Sequence, residues 1–314
     1  MGFLYLCIVV KLKAKLIMKT KSLFCVFLVA IIAWFTISCS HEEPDVSDGR
    51  SRQLEKSATI TFRLTGENEM ILSDMSFTRA LTADGKSLTD LWVIDYKNGL
   101  LAQDVLHQSS SDIDFGIPTL NLSVGSHHVY FIASRGSGAA IDTDAHTLIF
   151  SKVLDTFYKE YEISVTATTN GSRSVTLDRI VTKLTATITD AIPTGAATFN
   201  IIPATWYYGI DYLTGEPTAA ATNQAITINI PASEIGKTDE LLNVYGFSGS
   251  EEWTTDVTLN CKTSGGDILG TAALTDVPLK RNRITSLSGP LFSTNGLTTV
   301  SLSTDWLDAY TGTW

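Results

Sequence analysis

The chain reads as an all-β protein assembled from β-sandwiches. Three observations predict this. Apolar residues recur at every second position over most of the length. Gly, Asn, Asp and Pro punctuate these runs at short intervals. No series of long helical stripes lies between them, which excludes βαβ units and leaves short strands closing into sandwiches.

The N-terminal segment has a different character. Lys19 and Lys21 precede a mostly apolar run from Leu23 to Ile37, and Thr36-Ile37-Ser38-Cys39 closes it. A membrane span needs about 20 apolar residues. A basic start, a shorter apolar stretch and a small residue before the cut are the marks of a secretory signal. The expectation is a lipoprotein signal over residues 1–38, with Cys39 as the first mature residue and the site of acylation. Translation is expected to start at Met18, because Met18 onward makes an ordinary signal by itself. Residues 39–57 then read as a polar tether containing Pro44 and Gly49. Its acidic start, Ser40 to Asp45, fits either a surface-export signal for lipoproteins or a solvated linker.

From Ala58 onward the pattern has period two. Ala58, Ile60, Phe62 and Leu64 share one face of a first strand. Leu91 to Ile94 is apolar on both faces and suits a central strand, and Asn98-Gly99 marks a tight hairpin. His128 to Ala133 is a further strand, followed by the loop Ser134 to Gly138. Leu184, Ala186 and Ile188 alternate with threonines, as do Ile226, Ile228 and Ile230 with Thr227 and Asn229. Val300-Ser301-Leu302-Ser303 repeats the pattern near the end. One segment departs from it. Phe150, Val153, Leu154, Phe157, Tyr158 and Tyr161 recur at helical spacing, which predicts a short helix or coil over a sheet edge. The length after the signal suits two domains of roughly 125 residues each, with boundaries at 58–181 and 182–314 and close contact between them.

Charge and cysteine content narrow the partners. Without the five lysines of residues 1–38, 18 basic residues face 33 acidic ones, a net charge of −15. Nucleic acid and anionic lipid headgroups both need basic patches, so neither is expected as a partner. Of the four cysteines, Cys7 and Cys25 fall in the signal and Cys39 is the lipid site. Cys261 alternates with Leu259 and Val257 and reads as a small buried hydrophobe.

Catalytic and cofactor patterns are missing. There is no G-x-S-x-G elbow, H-E-x-x-H, P-loop or G-x-G-x-x-G, so neither enzyme activity nor a cofactor is expected. His127 and His128 are adjacent and point to opposite faces of a strand. His41, His107 and His146 have no metal-ligand spacing. Asp112 with Asp114, and Asp142 with Asp144, read as loop acids and not as a calcium loop. Trp206, Tyr207 and Tyr208, with Tyr212, admit two readings: a platform for sugar rings, or aromatic core.

Several stretches taken in order resemble a known family. They are the lipoprotein signal, the strand Ala58–Leu64, the segment Thr78-Arg79-Ala80, and Leu88 to Gly99. Leu177 to Leu184, Val277 to Phe292 and Asp305-Trp306 follow. Together they are similar to the fimbrillin superfamily of type V pili, most like FimB-type fimbrial anchor and accessory subunits. The basic segment Lys280-Arg281-Asn282-Arg283, leading to Gly289-Pro290-Leu291-Phe292, is the most telling piece.

The resemblance implies two tandem transthyretin-like β-sandwiches in a surface lipoprotein of the outer membrane. In polymerising members a protease cuts after an arginine beyond the first strand. The groove left open then accepts a strand from another subunit, which is β-augmentation. Arg79, with Ala80 as the new N-terminus, matches that position. Two readings of Arg79 stand side by side, a cleavage site or an ordinary loop arginine, because anchor-type members keep the first strand and the lipid. The segment 280–283 is expected to be a solvated hairpin end. Few residues follow Trp306, so either the last strand, Thr298–Ser303, is itself displaceable, or this subunit receives strands without donating one, which favours a terminal subunit, anchor or tip. The implied partners are other fimbrial subunits by donor-strand exchange, the outer membrane, and a host or glycan ligand. The alternative is a carbohydrate-binding surface lipoprotein of a glycan uptake system, with Trp206, Tyr207 and Tyr208 as its platform.

Overall fold

The computed structural model describes residues 56–66, 88–293 and 299–303. The first strand, β1 (Ser57–Gly66), buries Ala58, Ile60 and Phe62 and turns Thr59 and Arg63 outward, as its alternation requires. β2 (Asp90–Lys97) is buried on both faces from Leu91 to Tyr96. Asn98 (φ 54°) and Gly99 (φ 76°) turn it into β3 (Leu100–Leu101). Two successive positive φ angles define the tight hairpin turn that an Asn-Gly pair adopts most readily.

β4 (Leu106–Ser109), β5 (Thr119–Ser123) and β6 (Gly125–Ser134) follow, then β7 (Ala140–Asp142), β8 (Thr147–Ile149), β9 (Thr156–Val165) and β10 (Gly171–Arg179). Eight of these strands make one sheet, ordered β3-β2-β6-β9-β10-β1-β5 with β4 also on β2. The path bends at one corner. β9 and β10 pair only at Asp178 with Tyr158 and at Arg179 with Phe157. Beyond that corner they part, so β2-β6-β9 forms one layer and β10-β1-β5 the other. Ile60, Phe62, Leu91, Val93, Leu120, Leu122, Phe131, Ile163 and Val175 fill the space between.

The second half repeats the scheme. β11 (Val181–Ile188), β16 (Glu240–Phe247), β19 (Ile284–Gly289) and β20 (Thr299–Leu302) form a sheet ordered β16-β11-β19-β20. β12 (Ala196–Pro203), β15 (Ile226–Asn229), β17 (Trp253–Thr263) and β18 (Ile268–Leu279) form its partner, ordered β15-β12-β17-β18. Leu184, Phe199, Ile201, Leu242, Leu259, Cys261 and Leu287 pack between them. In each half the leading strand makes a parallel pair with a late one, β1 with β10 and β11 with β19.

A third core joins the two. β13 (Thr205–Asp211) and β14 (Glu216–Thr222) continue into β8 and β7, giving an antiparallel sheet ordered β14-β13-β8-β7. Gly209 lets β8 approach, since a Cβ there would lie 2.9 Å from Ile149 Cγ1 and 3.0 Å from the Leu148 carbonyl oxygen. Trp92, Ile94 and Ile132, from the other face of β2 and β6, pack with Phe150, Ile210, Tyr212 and Phe247. This explains why β2 is apolar on both sides.

The predicted helix or coil over 150–161 is corrected by the structure. Residues 156–165 are β9, paired with β6 along its whole length. Its apolar residues serve two cores: Phe157 and Tyr161 face the first, while Tyr158, with Phe150 and Val153, faces the third. A strand buried on both faces at its start imitates helical spacing. The alternation of Tyr161, Ile163 and Val165 with Glu160, Glu162 and Ser164 carries the correct period.

The segment Lys280 to Arg283 is not a solvated hairpin end. Arg281 Nε donates to the Ser248 carbonyl at 2.8 Å, and its Nη2 donates to the Gly215 carbonyl. The Asn282 N–H donates to the Val181 carbonyl at 2.9 Å, and Arg179 Nη1 to Asn282 Oδ1 at 3.2 Å. The basic turn is a clasp across the point where β10 passes into β11. Sequence spacing hides this because every partner is distant along the chain.

Candidate functional site: the first strand in its groove

β1 is the inner strand of its layer. Ile60 to Gly66 run parallel to Gly171–Leu177 of β10, and Ser57 to Thr61 antiparallel to Thr119–Ser123 of β5. Ahead of the start of β5, the N–H groups of Phe62 and Leu64 donate to the carbonyls of Pro118 (2.9 Å) and Gly116 (3.1 Å). Hydroxyl pairs, Thr61 with Thr119 at 3.0 Å and Thr65 with Thr176 at 3.1 Å, line its outer face. Inside, the Phe62 ring lies 5.1 Å from that of Phe131 and 5.7 Å, edge-on, from that of Tyr161. Burying Ile60 and Phe62 contributes about 1.5–3 kcal/mol each. Chemically the site is a slot for one extended strand, with main-chain partners on both sides and an apolar floor that reads every second side chain.

Cys39, Arg79 and Ala80 lie outside the described residues. The aromatic candidates lie inside them, and for Trp206 the platform reading is corrected. Trp206 is 1% exposed, donates its indole N–H to the Tyr245 carbonyl at 3.1 Å, and packs over Gly246. Tyr212 is also buried, its hydroxyl 3.1 Å from that of Tyr96. Tyr207 and Tyr208 are half-buried neighbours on one strand, and both pack against the third core. Tyr207 packs edge-on against Trp253, and burial pushes the Tyr208 phenol up.

Several of the titratable candidates have structural partners among the described residues, and His41 lies outside them. His127 is buried between Asp95 Oδ1 and the Ser123 carbonyl, each at 2.8 Å, while His128 leaves the opposite face. His107 stacks on Trp92 with ring centroids 5.1 Å apart. Asp142 accepts the N–H groups of Asp144 and Ala145 and closes a turn. Asp112 accepts the Ser109 N–H. Cys261 is buried, and burial pushes its thiol up.

Sequence reasoning missed Asp190. Its carboxylate accepts the N–H groups of Leu291 (3.0 Å), Phe292 (2.7 Å) and Ser293 (2.9 Å). Burial pushes the carboxyl up, but these three donors outweigh it and hold it below its usual range. The stretch Leu291 to Ser293 is therefore gripped by an acid about a hundred residues away.

A strand-closed, all-β protein of stacked sheets is what the fold and this groove define. The chain belongs to a family of unknown function, DUF6562, whose model matches residues 139–313. No curated protein matches it. Among solved structures, one neighbour is a Bacteroides eggerthii protein provisionally assigned to cell adhesion. It is 13% identical, covers 80% of this chain and 96% of its own, and has a TM-score of 0.47. A Bacteroides thetaiotaomicron protein, provisionally assigned to polysaccharide binding, is 9% identical (78% and 97% covered, TM-score 0.48). The fimbrial anchor protein Mfa2 from Porphyromonas gingivalis is 8% identical (79% and 97% covered, TM-score 0.44).

Proposed function

We propose that this chain is a cell-surface fimbrial subunit of the anchor, accessory or tip kind. It is exported as a lipoprotein, acylated at Cys39 and held at the outer membrane. It joins other subunits by strand exchange through two tandem sandwiches, 58–181 and 182–314. The observation that carries this reading is the seat of β1, whose Ala58, Ile60 and Phe62 close the first core from the middle of a layer. A strand so placed keeps the groove shut while present. Its removal uncovers main-chain donors and acceptors on two sides and an apolar floor, a surface that demands another strand. The sequence resemblance adds Arg79 as the place where that link is cut in fibre-forming members.

The deciding measurement is mass spectrometry of the protein from whole cells and from sheared fimbriae. An acylated N-terminus at Cys39, co-purifying with fimbrial subunits, is the anchor outcome. An N-terminus at Ala80 is the processed outcome. Protein that is neither acylated nor associated with any fimbrial subunit overturns the proposal. The carbohydrate-binding alternative has less support, because Trp206 lies in the core.

A further inference from the structure

We propose that His128, Glu160 and Glu162 form a surface site for a divalent transition-metal ion of the zinc type. His128 lies on β6 directly opposite Glu162 on β9, and Glu160 is two residues along the same face. His128 Nδ1 is 2.8 Å from Glu160 Oε1 and 3.9 Å from Glu162 Oε1, and one ligand atom from each side chain lies within 4.8 Å of the others. Zinc binds His nitrogen and carboxylate oxygen at about 2.0–2.2 Å, so neighbouring ligands of a tetrahedral ion stand roughly 3.4 Å apart. The two distances from the imidazole bracket that value.

The ligand chemistry selects the ion. One imidazole and two carboxylates suit zinc and its transition-metal neighbours, while calcium and magnesium take oxygen ligands. The strands beneath are paired over ten residues, so the backbone holds the three side chains in register. Tyr130, itself buried, donates its hydroxyl to Glu160 Oε1 at 3.3 Å and orients that carboxylate from behind. His128 and Glu160 are half to two-thirds covered and Glu162 is exposed, which leaves the fourth position open to water or a second protein.

The test is titration of the full chain in detergent with Zn²⁺, followed by calorimetry and by competition with a chromophoric chelator. The expected result is one saturable site. His128→Ala and Glu162→Gln should each weaken it at least tenfold, and Tyr130→Phe about tenfold. His107→Ala and His146→Ala should leave it unchanged. Thermal unfolding without metal should be the same for wild type and His128→Ala, with Zn²⁺ raising the transition of wild type alone. Absence of saturable binding, or binding that survives His128→Ala, overturns the proposal.

Discussion

Arg179 and Asp155 make a bidentate ion pair inside the protein, Nε to Oδ1 at 2.7 Å and Nη2 to Oδ2 at 3.1 Å. Each side chain is 3% exposed, and the guanidinium lies over the Phe157 ring with its centre 4.7 Å from the centroid. Arg179 ends β10, and its third contact, Asn282, belongs to the second half of the chain. The pair thus holds the corner where one half hands over to the other.

Breaking the pair from one side strands a buried charge. Arg179→Met should cost about 3–5 kcal/mol, seen as a lower urea midpoint. A double variant, Arg179→Met with Asp155→Leu, should recover much of that loss, since an uncharged pair leaves no ion unpaired. A double variant no more stable than the single one would show that the contact with Asn282 matters more than the pair.

The seat of β1 predicts a second effect. Phe62→Ala removes a fully buried ring that touches Phe131 and Tyr161 and should cost about 3–5 kcal/mol. Hydrogen exchange should rise first in β1 and β5. Uniform loss of protection across both halves would contradict a separately displaceable strand.

Asp190 makes stability depend on acid. Its folded-state carboxyl is held below the ordinary value, so its contribution is complete above the unfolded value of about 3.9 and disappears as pH falls through the folded one. Asp190→Asn should lower stability at neutral pH by about 2 kcal/mol. The difference from wild type should shrink as the pH falls below about 3.9, in denaturant titrations across acid pH. A constant difference would assign the effect to packing.

Gly246 should tolerate no side chain. A Cβ there would lie 2.5 Å from Trp206 Cε2 and 2.7 Å from Nε1, in the wall of a filled core. Gly246→Ala should cost about 1–3 kcal/mol through overpacking. Combining it with Trp206→Leu should relieve that clash, and strictly additive losses would place the strain elsewhere.

Much of this was legible locally. Ile60 and Phe62 on β1, Leu91 to Ile94 on β2, and the Asn98-Gly99 turn all follow from the pleat and from φ preferences, which depend on neighbours a few positions away. Cys261 as a small core residue followed from its alternation with Leu259 and Val257. The strand identity of Thr156–Val165 was obscured because two cores claim its first residues.

What the sequence by itself determined is the class of fold, the inward face of each alternating strand and the tight turns, because the pleat repeats every two residues whatever lies beyond. The tertiary structure alone decided that Trp206 is core, that Arg281 and Asn282 clasp the junction, that Asp190 grips Leu291 to Ser293, and that His128 meets Glu160 and Glu162. Each of these rests on partners about thirty to a hundred residues apart. Strand order and register bring such groups together, and no local pattern encodes either.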